Sequence, residues 1–316
     1  MQILQLLLTL LGAIGIFLFG MKMMSEALQK LAGQRMRSFI STLAQNPVRG
    51  IFSGLTVTGA LQSSSAATVM VVGLSGAGLL TFREAFSLIM GANIGTTLKA
   101  WLISYVGFGY DLNNLALPFV AVGIVLLLSR RVSRKHWGEF LIGFALLFIG
   151  IEFLKAQTEV LTSQPGLISF VRSLNNQGLL SMVFFALAGV VLTAILQSSS
   201  AMMAFTFAMV SSGWIEYPMA AAMVLGENIG TTVTANIAAL VSDSRARRSA
   251  LSHSLFNVFG VFLAILLFNP YINLIAWFTE WAGWTSPFDS ASSIPFALAA
   301  LHTSFKIGRA SCRERV

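Results

Sequence analysis

The stretch Leu61-Gln-Ser-Ser-Ser-Ala66, LQSSSA in one-letter code, places four consecutive hydrogen-bonding side chains inside an apolar segment. The same six letters return at Leu196–Ala201. Each copy lies near the centre of its segment, at about 48–78 and about 183–213. Each half of such a segment is shorter than the roughly 17 to 25 helical residues that cross a bilayer. The pattern therefore predicts two re-entrant helical hairpins whose polar tips face protein or water. A single long helix kinked at the serines is the alternative.

The composition is that of a membrane protein with several spans. Of the 316 residues, 56% are hydrophobic and 10% are charged, whereas about a quarter are charged in soluble domains. Apolar runs lie at about 3–24, 84–107, 115–129, 137–154, 216–241, 251–268, 271–284 and from 293 onward. The first run follows Met1 without a basic region or a cleavage site, which predicts a retained helix rather than a signal peptide. We expect an all-α polytopic protein embedded in the lipid bilayer of the cell inner (plasma) membrane.

An internal repeat divides the chain. Residues 54–97 align without a gap with residues 189–232, and the second cluster of identities pairs Gly91-Ala-Asn-Ile-Gly-Thr-Thr97 with Gly226-Glu-Asn-Ile-Gly-Thr-Thr232. The Asn-flanking glycines predict a broken transmembrane helix in each repeat, with close Gly-x-x-x-Gly helix packing as the alternative. The predicted organisation is a first repeat at 1–129, a basic cytoplasmic loop at 130–136, a second repeat at 137–268, and the start of further transmembrane helices at 269–306.

Basic residues predict the orientation, because cytoplasmic loops carry an excess of lysine and arginine. If the two hairpins do not cross the bilayer, every strong basic cluster falls on one face. These clusters comprise Lys30, Arg35, Arg37, Arg49, Arg83, Arg130, Arg131, Arg134, Lys135, Arg245, Arg247 and Arg248. The loop at 107–114 has no basic residue and falls on the other face. The two repeats are therefore predicted to be inverted, with the N-terminus outside.

Inverted repeats with broken helices that meet near the midplane are typical of secondary transporters. Serine hydroxyls and the backbone amides freed at helix ends can donate hydrogen bonds to phosphate-like or carboxylate oxygens. The predicted phosphate ligands are Ser63, Ser64, Ser65, Ser198, Ser199 and Ser200. Amide and hydroxyl oxygens are hard ligands that suit an alkali cation such as sodium. Sodium is the only metal that we expect to bind. The predicted sodium ligands are Gln62, Asn93, Thr96, Thr97, Gln197, Asn228, Thr231 and Thr232, with Thr58 and Thr193 as further candidates.

Ionisable residues are scarce in the repeated segments around these motifs. Lys99 follows the first Thr pair and has no basic counterpart in the second copy, so we expect an anion site built from neutral donors. Glu227 replaces Ala92 of the first copy. It is interpreted either as a cation ligand or proton-sensitive group, or as a solvent-facing carboxylate at a helix end. His253 and His302 begin similar short motifs and are interpreted as structural.

The last ten residues, 307–316, break the apolar pattern and resemble one translation frame of a DNA-sequencing adapter. We therefore expect a truncated chain with a non-native tail. The codon for Lys306 then joins native and adapter sequence, and the native protein continues beyond Phe305. On this interpretation the single cysteine, Cys312, says nothing about the redox compartment. A genuine basic cytoplasmic tail is the alternative.

The doubled LQSSSA, the GANIGTT and GENIGTT motifs and the inverted halves resemble the sodium/phosphate cotransporter family, which includes the animal type II carriers and bacterial relatives. The resemblance covers nearly all of 1–306. It implies that more than one sodium ion is coupled to inorganic phosphate and that both hairpins lie at the binding site. It also implies an elevator-like architecture with a scaffold and a transport domain. Members often show His-Thr-x-Phe-Asn where this chain has HTSFK at 302–306. Bacterial relatives frequently append a PhoU-like domain, and some are described as exporters.

Other functions remain open at this point. A carrier for another small oxyanion or a carboxylate is the nearest alternative, and an ion channel is a more remote one. An intramembrane hydrolase is disfavoured, because no Gly-x-Ser-x-Gly elbow, intramembrane Ser/Lys or Ser/His pair, or metal cluster accompanies the serines. We therefore expect no enzymatic activity, no cofactor and no nucleic-acid partner, and the sequence leaves a homo-oligomer open.

Overall fold

The computed structural model describes residues 2–32, 46–61, 63–108, 113–162, 166, 169, 173–174, 178–240 and 244–311. In chain order, its helices are α1 (Gln2–Ala32), α2 (Pro47–Leu61), α3 (Ser64–Gly76), α4 (Phe82–Gly95), α5 (Thr97–Leu102, followed by a π-helical turn, Ile103–Phe108), α6 (Asn113–Leu127), α7 (Val132–Thr162), α8 (Leu179–Leu196), α9 (Ser199–Ser211), α10 (Tyr217–Gly230), α11 (Thr232–Leu240), α12 (Ser244–Leu266), α13 (Phe268–Trp281) and α14 (Ile294–Ser311, preceded by a 3-10 turn, Ala291–Ser293). These described parts contain no β-strand.

Helices long and apolar enough to cross a membrane confirm an all-α polytopic membrane protein. Within the described ranges there are five: Leu8–Leu31, Phe82–Tyr105, Val132–Gln157, Leu179–Leu196 and Ser244–Leu266. The apolar run predicted at 216–241 is divided at Thr231 into α10 and α11. The division of the chain into repeats, the N-terminal orientation and the elevator arrangement stay predictions.

Each serine-containing segment is a pair of helices separated at the serines. The first pair is α2 and α3, and the second is α8 and α9. The expectation that every half is too short for a span is wrong for α8, which has 18 strongly apolar residues. The helix begins at Leu179 rather than near 183, because the apolar sequence extends further upstream than the serine-centred segment suggested.

The direction of the neighbouring helices shows that α2 and α3 form a hairpin. Helix α4 runs parallel to α2, since Gly91 lies against Ile51 and Gly95 lies against Leu55. A turn of five residues, 77–81, joins α3 to α4, and the two helices pack along each other. Helix α3 must therefore run antiparallel to α4 and to α2. A single long kinked helix does not fit these contacts.

The second half repeats these contacts at the equivalent positions. Gly226 of α10 lies against Ala186 of α8, and Gly230 lies against Val190. Helix α9 packs along α10 after another short turn, at 212–216. The duplication in sequence is thus accompanied by the same helix pairing in both halves.

The motif glycines bring helix backbones into direct contact. A Cβ atom placed on Gly91 would lie 1.9 Å from the carbonyl oxygen of Ile51, and one on Gly226 would lie 1.9 Å from that of Ala186. No side chain fits at such a separation, so these glycines pack small-residue helix faces. The packing interpretation is correct for Gly91 and Gly226, and the helices break only after Gly95 and Gly230.

Two further groups of helices position the site. Helices α1, α6 and α7 pack closely together: a Cβ atom on Gly20 would lie 2.4 Å from the backbone nitrogen of Leu147. Helix α14 packs against both α5 and α10, and Trp101 Nε1 donates to Thr303 Oγ1 at 2.9 Å. The last described helix therefore contacts both halves. It continues through the first residues of the predicted non-native tail, whereas Cys312 lies outside the described residues.

Candidate functional site: a pocket between two serine tips

The breaks in both hairpins open onto one cavity of about 70 Å³. Its lining residues are Ser63, Ser64, Thr96, Lys99, Ala100, Gln197, Ser198, Ser199, Ser200, Met203 and His302. Two runs of serines that are far apart in sequence therefore face the same space. Pockets for drug-sized ligands span about 300–1,000 Å³, so this cavity suits a small ion better than a large organic substrate.

Backbone geometry at the second tip turns the serines toward the cavity. Helix α8 ends before Gln197, which has a φ of 51° and is the only non-glycine residue with positive φ among the described residues. Ser198 then caps α9, since its Oγ accepts a hydrogen bond from the backbone N–H of Ala201 at 3.2 Å. A left-handed conformation is costly for a residue with a side chain and is typical of functional sites.

The N-termini of two helices lie at the wall of the cavity. Helix α3 begins at Ser64 and α9 begins at Ser199, and both residues line the cavity. Backbone N–H groups in the first turn of a helix lack intrahelical partners, and the helix dipole places partial positive charge there. Two such ends facing one small cavity form a suitable environment for an anion.

The predicted serine ligands differ in their surroundings. Ser200 donates a hydrogen bond to the sulfur of Met21 in α1, with Oγ and Sδ 3.0 Å apart. Its hydroxyl also lies 3.4 Å from that of Ser198. Ser200 is therefore held toward α1, which weakens its case as an anion ligand. The side chain of Ser65 and the whole of Gln62 lie outside the described residues.

Basic side chains also line the cavity, contrary to the expectation of neutral donors. Lys99 follows Thr96 by three residues on α5, and His302 reaches the cavity from α14. The prediction of a site with neutral donors alone is therefore wrong. The spacing of Lys99 from Thr96 was the available signal, because residues three apart lie on one helical face. His302 lies outside the repeated segments, so the repeat itself could not identify it.

The paired threonines mark the breaks in α4–α5 and α10–α11. Each hydroxyl donates to a carbonyl oxygen three residues earlier, and each oxygen keeps lone-pair capacity for a cation. The bonds run from Thr96 to Asn93 O at 2.6 Å, from Thr97 to Ile94 O at 2.8 Å, from Thr231 to Asn228 O at 2.9 Å, and from Thr232 to Ile229 O at 2.8 Å. Of these four threonines only Thr96 lines the cavity.

Other predicted sodium ligands are buried and do not line the cavity. Thr58 and Thr193 are 1% and 0% exposed, and neither hydroxyl has a hydrogen-bond partner among the described residues. Asn228 donates through Nδ2 to Val224 O at 2.8 Å, which leaves its Oδ1 unpaired. The side chain of Asn93 is also buried, and its Nδ2 is unpaired. Buried polar atoms without partners cost about 1–3 kcal/mol each, so the unpaired oxygens suit a bound cation.

A buried carboxyl group lies next to His302, where α14 meets both halves. Glu227 is 0% exposed, and its Oε1 lies 3.2 Å from Nδ1 of His302 without the alignment of a hydrogen bond. The interpretation of Glu227 as a solvent-facing carboxylate is therefore wrong. Lys306 is also buried and donates from Nζ to Thr96 Oγ1 at 2.7 Å.

Comparison with known protein families matches residues 16–156 and 166–299 to the family described as Na+/Pi-cotransporter. The chain belongs to the Na+/Pi-cotransporter family. Its relatives include the uncharacterized protein YqeW of Bacillus subtilis, 29% identical over 84% of this chain and 82% of YqeW. Another is the putative inorganic phosphate export protein YjbB of Escherichia coli K12, 28% identical over 85% of this chain and 48% of YjbB. Human sodium-dependent phosphate transport protein 2B is 36% identical over 33% of this chain and 15% of that protein.

The chain spans about half the length of YjbB. No solved structure matches it. Within this member of the Na+/Pi-cotransporter family, the structure brings Ser63, Ser64 and the second serine run together with Thr96 and Gln197 at one cavity. The other described sodium candidates do not line it. His302 lines the cavity and Glu227 lies next to it, whereas His253 is buried on α12 and does not line the cavity.

Proposed function

We propose that this chain is a secondary active transporter that couples sodium ions to the movement of inorganic phosphate across the membrane. The observation that carries the proposal is the meeting of both serine tips at one cavity of ionic size. The family match supports it, as do the relatives named for phosphate export and for sodium-dependent phosphate transport. Phosphate is therefore the proposed substrate, in either direction of transport.

The anion is proposed to lie between the N-termini of α3 and α9. Hydroxyls of the two serine runs and the free amides of both helix ends donate to its oxygens, and the ammonium of Lys99 adds positive charge. The proposed phosphate ligands remain Ser63, Ser64, Ser65, Ser198, Ser199 and Ser200, with Ser200 the weakest because of its bond to Met21. The small volume of the cavity favours phosphate over a dicarboxylate.

Sodium is proposed to bind at the oxygens around the helix breaks. The unpaired hydroxyls of Thr58 and Thr193 and the unpaired Oδ1 of Asn228 favour this role, because each of these buried oxygens would coordinate the cation. Half-helix ends and freed carbonyls coordinate cations in many transporters. Each net positive charge carried inward gains about 2.3 kcal/mol per 100 mV of membrane potential, which makes an excess of sodium over phosphate charge useful. We further propose that α1, α6 and α7 act as a scaffold for an elevator-like motion.

The first test is a flux measurement with the purified chain in liposomes. Radioactive phosphate is expected to accumulate when a sodium gradient is imposed, and not when choline replaces sodium. Ser64→Ala and Ser199→Ala are each expected to weaken the apparent phosphate affinity about 10- to 100-fold, since a hydrogen bond to a charged group contributes about 1.5–3 kcal/mol.

Ser211→Ala is the matched control, because Ser211 lies at the far end of α9 and donates only locally, to Ala208 O at 3.0 Å. Its phosphate affinity should equal that of the unmodified chain. Unchanged affinity in both tip variants would refute the site assignment. Stronger competition by sulfate or succinate than by unlabelled phosphate would identify another anion as the substrate, and sodium flux without phosphate would indicate a channel.

A further inference from the structure

A second cavity lies away from the serine tips, where the first hairpin meets the start of α12. Its volume is about 390 Å³, and Arg245 and Arg248 line it. The other lining residues belong to α3, α4 and the turn between them: Ser75, Gly78, Leu80, Thr81 and Phe82. A cavity of this size accommodates a small organic molecule, whereas the serine cavity of about 70 Å³ suits a bare ion. The two arginines therefore face a space large enough for an anion that carries an organic substituent.

Close packing fixes the start of α12 against the first hairpin. Ala246 and Ala250 of α12 are buried in one cluster with residues of α3 and α11. Ser249 is also buried, and its Oγ lies 3.2 Å from Oγ of Ser75 in α3. Because these buried residues occupy one side of α12, the two arginines are left exposed beside the turn that follows α3.

The turn after α3 lets the guanidinium of Arg245 approach the backbone closely. Gly78 has a φ of 73°, a left-handed conformation that favours glycine. A Cβ atom placed on Gly78 would lie 2.9 Å from Nη1 of Arg245. A side chain at this position would push the guanidinium away, so the glycine allows Arg245 to lie at the cavity wall.

The positive charge at this cavity has no countercharge in the described part of the chain. No described carboxylate forms an ion pair with Arg245 or Arg248. Glu84, in the adjoining first turn of α4, caps that helix: its Oε2 accepts hydrogen bonds from the backbone N–H and Oγ1 of Thr81 at 2.8 and 2.7 Å. The first turn of α12 contains no acidic residue, although the helix dipole favours negative charge there. An external anion would be stabilised by both arginines and by the helix end.

The cavity lies at one end of a helix that is long and apolar enough to cross the membrane. Helix α12 has 23 residues and is about 34 Å long at 1.5 Å per residue, slightly more than the hydrocarbon core of about 30 Å. Its first turn therefore lies at the level of the lipid headgroups. From Arg248 onward, exposed apolar side chains follow one face of the helix at spacings of three and four residues: Leu251, Leu255, Val258, Phe262 and Leu266. This face offers an apolar surface to the acyl chains of a lipid.

We propose that this cavity binds the headgroup of an anionic phospholipid, with its phosphoryl oxygens between Arg245 and Arg248 and its acyl chains along the apolar face of α12. The planar guanidinium group matches the geometry of phosphoryl oxygens. Free inorganic phosphate offers the same oxygens, but the cavity volume and the adjoining apolar face favour the lipid. Both arginines belong to the face predicted to be cytoplasmic, where anionic lipids attract basic residues. The site is separate from the serine cavity, and lipid binding does not require phosphate transport.

The test counts the lipids bound to the purified 316-residue chain in detergent by native mass spectrometry, without phosphate. Phosphatidylglycerol should bind as one tightly retained molecule per chain. Phosphatidylcholine has the same phosphodiester but no net charge, and should bind much more weakly. Arg245→Gln/Arg248→Gln should weaken phosphatidylglycerol binding about 25-fold, since each basic residue near an anionic surface contributes about a factor of five.

Arg130→Gln/Arg131→Gln is the matched control for loss of charge. It removes two exposed arginines of the same predicted face that do not line the cavity, and phosphatidylglycerol affinity should stay within about twofold. Without lipid, both double variants should keep the melting temperature of the unmodified chain, because the replaced side chains are exposed. Arg248→Gln alone repeats the comparison if the double variant at the cavity does not fold.

Equal retention of the two lipids, or equal losses in the two arginine pairs, would overturn the proposal. A melting-temperature series separates the lipid from the free ion. Phosphatidylglycerol should raise the melting temperature of the unmodified chain but not that of Arg245→Gln/Arg248→Gln. If inorganic phosphate alone gave a rise that this variant abolished, the ligand would be the free ion and the lipid assignment would be wrong. Lipid binding at the arginines would stand even if liposomes showed no phosphate flux, and normal flux would not rescue a missing lipid.

Discussion

Gly226→Ala is expected to lower the melting temperature of the protein by about 6 to 12 °C. A Cβ at this position would lie 1.9 Å from the carbonyl oxygen of Ala186, so α8 and α10 would have to separate. Overpacking of this kind costs about 1–3 kcal/mol and occasionally more, and a Cβ so close to a backbone oxygen belongs at the upper end, about 3 kcal/mol. Each 1 kcal/mol corresponds to about 2–4 °C in a chain of this size. Thermal unfolding of the purified protein, followed by tryptophan fluorescence, measures the change.

The chain offers matched controls for this substitution. Gly73→Ala changes an exposed glycine within α3, where a Cβ would meet nothing within 4 Å. It should leave the melting temperature unchanged or raise it slightly, because alanine favours the helix. Gly91→Ala should reproduce the large loss, since its Cβ would lie 1.9 Å from Ile51 O. Equal stability of the Gly226 and Gly73 variants would contradict the close helix packing.

Lys99→Met is expected to weaken phosphate binding about 30-fold or more. Lys99 is the lysine on the cavity wall, and losing one partner of a desolvated charge pair costs about 2–5 kcal/mol. Lys99→Arg keeps the positive charge and should retain most of the affinity. Isothermal titration of the purified protein with phosphate provides the dissociation constants.

Lys22→Met serves as the control for loss of a charge elsewhere. Lys22 is exposed on α1 and lies 3.8 Å from Glu26, away from the cavity. Its removal should leave phosphate affinity within about twofold, because exposed charges are screened by solvent. Similar losses in the Lys22 and Lys99 variants would mean that overall charge, rather than the cavity wall, determines binding.

The duplicated motifs allowed the helix breaks to be predicted from sequence. Polar runs inside apolar segments are costly unless the chain turns or faces a cavity, and α2 ends at Leu61 while α8 ends at Leu196. The serines could therefore be assigned to one site before any geometry was known. The glycines were ambiguous, because close packing and helix relaxation both favour glycine, and only the contacts of Gly91 and Gly226 distinguish the two.

The charged part of the site could not be derived from the repeat. His302 and Lys306 belong to α14, which lies outside the duplicated segments, and no periodicity in the sequence connects that helix with Thr96. The burial of Glu227 depends on the same contact between α10 and α14. Tertiary packing rather than local pattern decides the surroundings of these residues, so the sequence supported two interpretations of Glu227.

The two serine tips are proposed to hold one anion together. Phosphate titration of the unmodified chain, Ser64→Ala, Ser199→Ala and the double variant decides whether they do. We expect one phosphate per chain, weaker binding in each single variant, and a non-additive loss in the double variant because both hydroxyls contact the same ion. Two phosphates per chain, with each single variant abolishing one and sparing the other, would contradict it.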